Sequence, residues 1–187
     1  VRYDFCEIIP ASISGRVSVD ANGNGGYDAG EKLLEGVTVR LFNSSGTLVA
    51  TTTTNAAGRY EFTNLRPGTY TVTESQPEGY YDGDDRVGSA GGSLLAPDSI
   101  TGITLITGTA AIGYDFCELE PVSLSGYVYE DLDNDGVRDS GEAGIGGVKL
   151  TLLDADGNPT TTTTVTGSSG FYRFGGLAPK ATYGVAE

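Results

Sequence analysis

The chain contains no His, no Trp, no Met and only two Cys among its 187 residues. Without His there is no Ser-His-Asp or Cys-His catalytic apparatus and no imidazole ligand for zinc or haem. Two cysteines cannot build a four-thiolate centre. Positive charge is also scarce, with 11 Lys plus Arg against 25 Asp plus Glu and a formal net charge of −14. That sign opposes binding to nucleic-acid phosphates and to anionic membrane surfaces. Apolar runs extend only a few residues, far short of the ~20 that cross a bilayer as a helix. No signal peptide, transmembrane run or lipidation motif is read, and both ends fall in strand-like sequence, so the chain reads as a piece of something longer.

What the chain does have is glycine, 29 residues of it, with threonine runs and 38% hydrophobic residues. The glycine content is roughly twice the usual ~7%, a composition of short strands joined by tight turns. The expectation is a folded acidic β protein that is not an enzyme.

Self-comparison organises the rest. YDFCEIIPASISG from Tyr3 recurs as YDFCELEPVSLSG from Tyr114, an offset of 111 that also carries Asp20 onto Asp131, Glu31 onto Glu142 and Val37 onto Val148. After a small insertion, GRYEFTNLRPGTYTVTE from Gly58 falls on GFYRFGGLAPKATYGVAE from Gly170. A period this long is one small domain per repeat. Residues 1–10 are then the last strand and linker of a preceding repeat, 11–118 a complete repeat, 119–121 a linker, and 122–187 a truncated second repeat. Linkers this short, each with a proline (Pro10, Pro121), predict a stiff string of domains.

Within a repeat the hydrophobic period is two. Ile13, Val17 and Val19 alternate with polar residues, as do Val37, Val39 and Leu41, Tyr60 and Phe62, and Tyr70 and Val72. Ile103 and Leu105 mark a further strand, and Ile112, Tyr114 and Phe116 a final one. Asn43-Ser44-Ser45-Gly46, Asn55-Ala56-Ala57-Gly58 and Arg66-Pro67-Gly68 supply turns between them. About seven half-buried strands in each repeat predict an all-β, seven-stranded antiparallel Ig-like β-sandwich in tandem repeats.

The sharpest motif is a twelve-residue window. Asp131, Asp133, Asp135, Gly136, Val137, Asp139 and Glu142 stand at its positions 1, 3, 5, 6, 7, 9 and 12. That is calcium-loop spacing: oxygen donors on alternate residues, a glycine at the sharp turn, a backbone carbonyl at position 7 and a closing Glu able to bind through both oxygens. The first repeat places Asp20, Asn22, Asn24, Gly25, Gly26, Asp28 and Glu31 in the same register. An acidic solvated turn would not put an oxygen-bearing residue at every ligand position twice. The residues before each window alternate as a strand, so this is not a helix-loop-helix hand. Five carboxylates in the second window against three in the first predict tighter binding by the second.

Other signals are weaker. Asp82, Asp84 and Asp85, with Asp98 further on, read as another cation site or an exposed acidic loop, and the loop is preferred because no fixed spacing joins them. Thr51 to Thr54 and Thr160 to Thr164 read as water-facing strand residues. Cys6 and Cys117, equivalent points one domain apart, read as separate thiols.

Together, SISGRV, DANGNGGYDAGE, GVTVRL, GRYEFTNLRPGTYTVTESQPEGY and YDFCE make the chain resemble the B-type (SdrD B-like) repeat domain of serine-aspartate repeat surface proteins, within the wider collagen-adhesin B-type (Cna-B-like) group. The resemblance implies a prealbumin-like sandwich serving as a Ca²⁺-stiffened stalk or spacer of a bacterial cell-surface or secreted protein. The alternative is an adhesive module that binds carbohydrate or protein, through residues such as Tyr80 and Tyr81. Expected partners are neighbouring repeats, an extracellular ligand, and another molecule whose open edge takes the strand over residues 1–7; nucleic acid and membrane insertion are not expected. Some members of the wider group form a Lys-Asn crosslink promoted by an acid at the position of Glu74. Here Arg16 stands on the first strand and the three lysines (Lys32, Lys149, Lys180) lie elsewhere, so no such bond is expected and Glu74 reads as a structural acid at a strand end.

Overall fold

A computed structural model describes residues 6–187. The strand expected over residues 1–7 therefore lies, for its first five residues, outside the described residues. Contacts divide the chain into two compact units, Val1–Glu120 and Pro121–Glu187.

The described residues of the first unit form ten strands: β1 (Ala11–Val19), β2 (Thr38–Asn43), β3 (Leu48–Thr53), β4 (Arg59–Leu65), β5 (Gly68–Glu74), β6 (Tyr81–Asp82), β7 (Ser93–Ala96), β8 (Ser99–Leu105), β9 (Ala110–Ala111) and β10 (Phe116–Leu119). One sheet runs β4-β1-β10-β6, with β9 also against β1; the other runs β3-β2-β5-β8-β7. Alternation explains the packing between them. Ile13 and Val17 of the first sheet and Val39, Leu41, Val72, Ile100 and Ile103 of the second are fully buried in one core, closed by Tyr114 and Phe116. Each such side chain contributes roughly 1.5–3 kcal/mol by leaving water.

Three expectations are corrected. The sandwich is not wholly antiparallel: β1 pairs parallel with β9 through Ser12 and Ile13, and parallel with β10 through Val17, Ser18 and Val19. The strand count exceeds seven because the stretch after Glu74 is broken into the short β6, β7 and β9. Finally, Ile112 is exposed and, like Tyr114, lies outside the last strand, in the crossing from β9 to β10. Gly15 permits that crossing. A Cβ at Gly15 would lie 1.7 Å from the Tyr114 carbonyl oxygen, which accepts the Tyr60 hydroxyl at 2.6 Å.

The second unit contains β11 (Val122–Tyr127), β12 (Lys149–Leu153), β13 (Pro159–Val165), β14 (Phe171–Leu177) and β15 (Gly184–Ala186), paired as β11-β14 and β13-β12-β15. The β11-β14 register reproduces β1-β4 down to its irregularity: Val122 faces Leu177 as Ala11 faces Leu65, and Gly126 faces Tyr172 as Gly15 faces Tyr60. Its core centres on Leu150, Leu152, Phe174 and Leu177.

A threonine just after β3 and another just after β13 form a shared staple. Thr54 does not face water: its buried hydroxyl donates to the Leu34 carbonyl at 2.6 Å and accepts the Val37 N–H at 2.9 Å. Thr166 repeats this with Ile145 at 2.8 Å and Val148 at 2.9 Å. In both units it anchors the chain just after the acidic window.

Candidate metal centres

Each acidic window leaves the end of the first strand of its unit and returns beside it. In the first unit the base is closed by Val19 N–H to Lys32 O (2.8 Å) and Leu34 N–H to Val17 O (3.1 Å); in the second by Glu130 N–H to Ala143 O and Ile145 N–H to Val128 O, both 2.9 Å. The twelve residues between are thus pinned at both ends of a rigid sheet edge.

The backbone inside is the same twice. Positions 4, 6 and 11 have positive φ: Gly23 (74°), Gly25 (72°) and Gly30 (105°), then Asn134 (61°), Gly136 (78°) and Gly141 (108°). Left-handed backbone favours Gly, and Asn tolerates it best among residues with a Cβ, which is why Asn134 can stand where Gly23 does.

The carboxylates at positions 1 and 12 hold this winding. Asp20 Oδ1 accepts the N–H of Gly23 (2.7 Å) and Asn24 (3.2 Å), and Oδ2 that of Gly25 (2.8 Å). Asp131 Oδ1 accepts from Asn134 (2.7 Å) and Oδ2 from Gly136 (2.9 Å). Glu31 spans its loop, Oε1 to Ala21 N–H (2.9 Å) and Oε2 to Asp28 N–H (2.8 Å); Glu142 does the same with Leu132 and Asp139, both at 2.9 Å. Carboxylate oxygens have further lone pairs, so a residue organised this way still has donor capacity for a cation.

The ligand sets differ. In the second loop Asp131, Asp133 and Glu142 bring carboxylate oxygens within 4.8 Å of one another, and Asp133, Asp135 and Asp139 form another such trio. Asp133 belongs to both trios and so links them. In the first loop Asn22 and Asn24 both donate their side-chain amides to Asp28 Oδ2 at 2.7 Å. Positions 3, 5 and 9 therefore converge here too, held by amide hydrogens instead of mutual repulsion, and turning either amide about its last bond presents oxygen inward. Position 7, Gly26 or Val137, donates its N–H to the side chain at position 5, at 3.0 Å to Asn24 and 2.7 Å to Asp135. Burial opposes the charge of Asp20, but the N–H bonds from Gly25, Gly23 and Asn24 outweigh it and hold its carboxyl below the ordinary value. For Asp131 the Gly136 N–H leads the same downward shift. Oxygen-only donors on a wound, glycine-hinged loop suit a hard divalent cation such as Ca²⁺.

Position 8 shows a reciprocal exchange that spacing alone did not reveal. Tyr27 of the first loop lies under the guanidinium of Arg16 on β1, 4.0 Å from its centroid. In the second repeat the types are swapped: Arg138 of the loop lies 4.3 Å from the ring of Tyr127 on β11. The contact is kept while its partners trade places, and in each unit it ties loop to strand.

The preferred exposed-loop reading of Asp82, Asp84, Asp85 and Asp98 holds for Asp84 alone, because the other three pack beside Glu74 and Glu118. Glu74, Asp98 and Glu118 bring their oxygens within 4.8 Å of one another, and Asp82, Asp85 and Asp98 form an adjoining trio. Glu74 and Glu118 are buried, Asp82, Asp85 and Asp98 half-buried; only Asp84 is exposed. Burial, then the negative charge of Glu118, lifts the Glu74 carboxyl far above its usual range, and burial lifts Glu118 as well. Burial also pushes Asp85 up to about 7 and, with the charge of Asp82, Asp98 up to about 6. Cys117, on the other face of β10, is buried and its thiol is pushed up to about 12, first by burial, whereas Cys6 is exposed. Tyr80 is half-buried against the core, its hydroxyl bonded to Lys32 Nζ.

Comparison with known proteins converges on one group. The family profile described as "SdrD B-like domain" matches residues 11–116 and 122–186. The chain is 42% identical over 159 residues to a serine-aspartate repeat-containing protein F of Staphylococcus epidermidis, covering 84% of this chain and 10% of that protein. It is 39% identical over 162 residues to a serine-aspartate repeat-containing protein D of Staphylococcus aureus, covering 84% and 12%. The chain thus spans about a tenth of the length of these relatives. Among solved structures, the Bacillus anthracis TIE protein aligns with 95% of this chain and 28% of its own at 16% identity, with a TM-score of 0.48.

Proposed function

The chain belongs to the SdrD B-like domain family, and from that premise we propose that it is a calcium-binding structural repeat of a bacterial cell-surface or secreted protein, a spacer whose loops are stiffened by Ca²⁺. The modules are residues 11–118 and 122–187, and their partners are neighbouring repeats. The ligands are Asp20, Asn22, Asn24, Gly26, Asp28 and Glu31 in the first module, and Asp131, Asp133, Asp135, Val137, Asp139 and Glu142 in the second, with Gly26 and Val137 contributing backbone carbonyls.

The observation that carries this reading is the duplicated loop. The same three left-handed positions and the same carboxylate-to-N–H bonds occur twice, around donor sets made only of oxygen. Without an ion, the carboxylates facing one another in the second loop repel; a divalent cation reverses that interaction and ties positions 1 to 12 together. The cell exterior is where such a device works, since extracellular calcium modules operate at dissociation constants of ~10⁻⁴–10⁻³ M.

Binding to the folded state alone stabilises it by about 2.7 kcal/mol at ~100-fold saturation. For a unit of this size that corresponds to roughly 10–20 °C in melting temperature. Scanning calorimetry of the chain with Ca²⁺ and then with excess chelator is the test. A melting temperature that does not fall, together with unchanged protease resistance of residues 20–31 and 131–142, would overturn the proposal.

A further inference from the structure

Two Asn-Gly pairs stand inside the first acidic loop, Asn22-Gly23 and Asn24-Gly25. No other Asn of the chain precedes Gly: Asn43, Asn55, Asn64, Asn134 and Asn158 are followed by Ser, Ala, Leu, Asp and Pro. A side-chain amide is attacked by its own backbone most readily before Gly, which has no Cβ to hinder the approach. The second loop has Asp133 and Asp135 at these positions, side chains with no ammonia to lose.

The reaction is intramolecular and needs only water. The Gly23 nitrogen gives up its proton and bonds to Cγ of Asn22; the Cγ–Nδ2 bond breaks, and the side-chain nitrogen leaves as ammonia, carrying that proton. Water then opens the cyclic imide. Addition at Cγ leaves Asp, and addition at the main-chain carbonyl leaves an isoaspartyl link with one more carbon in the backbone. Gly25 and Asn24 stand in the same relation.

The structure sets out the reactants and restrains the nucleophiles. Both Asn residues are exposed, and each side-chain carbonyl folds back past the following Gly: Asn22 Oδ1 accepts the Asn24 N–H at 3.1 Å, and Asn24 Oδ1 the Gly26 N–H at 3.0 Å. Yet the two nitrogens that must attack are the two that Asp20 binds, Gly23 N–H to Oδ1 at 2.7 Å and Gly25 N–H to Oδ2 at 2.8 Å. A carboxylate against an N–H opposes loss of that proton, because the amide anion would face a like charge. Asp20 is itself buried at the sheet edge, its own N–H on the Glu118 carbonyl at 2.8 Å, so the restraint is anchored outside the loop.

We propose that Asn22 and Asn24 are sites of spontaneous deamidation that Asp20 holds in check. Where the winding lapses, conversion is irreversible. It replaces the amides that hold Asp28 Oδ2 with carboxylates, or lengthens the backbone between positions 1 and 12. The first loop thus records time spent unwound. This inference stands on the bonds around Asp20 and not on an ion.

The test is peptide mapping by mass spectrometry of the full chain, kept in chelator at mildly alkaline pH and well below its melting temperature. Asp20→Ala should convert Asn22 and Asn24 roughly tenfold faster than wild type or more, because a hydrogen bond to a charged group no longer opposes the step. Asp20→Asn, which keeps an acceptor without the charge, should fall between them, and Asn43 and Asn55 should stay intact throughout. Val72→Ala weakens the core with the Asp20 bonds in place and should keep the wild-type rate. Conversion in Asp20→Ala no faster than in wild type overturns the proposal. So does a Val72→Ala chain that converts as fast as Asp20→Ala, since general unfolding and not Asp20 then sets the rate.

Discussion

The two acidic loops have one backbone and two chemistries. Both wind through the same left-handed positions and both hang their N–H groups on an Asp at position 1 and a Glu at position 12. Between those fixed points the first loop has Asn22 and Asn24 bonded to Asp28, whereas the second sets Asp133, Asp135 and Asp139 against one another. Winding and ligand charge are therefore separable. Glycines and the terminal carboxylates set the shape, and the residues at positions 3 and 5 set how much the empty loop resists it. The first loop is pre-organised and weakly charged, the second strained by its own charge and dependent on an ion.

The strongest way to break that comparison is to remove the organiser. Asp20→Ala removes the charged acceptor of the Gly23 and Gly25 N–H groups and leaves Asn24 N–H to Asn22 alone, and a hydrogen bond to a charged group contributes about 1.5–3 kcal/mol. Denaturation in chelator should show a loss of about 2–4 kcal/mol, present even without calcium. A loss that appears only with calcium would mean the ion, and not Asp20, winds the loop. The next test concerns charge. Asn22→Asp/Asn24→Asp gives the first loop the carboxylate count of the second, and its calcium affinity should rise about tenfold because ligand charge tunes such loops. Calorimetry showing no change would leave the difference between the loops unexplained by charge.

A third test uses protons, in chelator. Burial pushes the carboxyls of Asp85 and Asp98 up to about 7 and about 6, above their ordinary value of 3.8. A folded carboxyl with a raised pKa binds more protons than its unfolded counterpart between the two values, so stability falls as pH rises through that window. The first unit should melt a few degrees lower at about pH 8 than at about pH 5. The second repeat holds neither residue, and Asp131 is shifted downward, so that fall should not be shared. Equal pH dependence in the two units would count against the distinction. The smallest effect belongs to the exchanged pair. Tyr27→Ala should cost about 0.5–1 kcal/mol, and Arg16→Tyr/Tyr27→Arg, which copies the second repeat, should restore most of it in a denaturation series.

Much of this was legible in the sequence, for definite reasons. β1, β2, β4, β5 and β8 carry period-two patterns, and the loops carry a fixed spacing, both of which are local and survive in one dimension. The parallel pairing of β1 with β10 is not local: about a hundred residues separate Val17 from Phe116, and no periodicity encodes which strands become neighbours. Ile112 looked like a strand residue because the alternation Ile112, Tyr114, Phe116 continues across a crossing that Gly15 makes room for. Thr54 was hidden among identical neighbours, and only its place just past the end of β3 turns a water-facing type into a buried staple. The Glu74–Glu118 cluster escaped because its members come from separate segments and meet only once the sheets pack. Family resemblance identified the position of Glu74 but not its company.

The parallel contact between the first and last strands has a mechanical meaning. A pull along the polypeptide enters this unit at Ala11 and leaves at Leu119, at opposite ends of a β1-β10 ladder whose strands run the same way. Such a load slides the two strands lengthwise, so the hydrogen bonds between them must yield together and cannot peel open one by one. Forced unfolding is governed by that barrier rather than by equilibrium stability. A unit of modest thermodynamic stability can therefore still resist being drawn out.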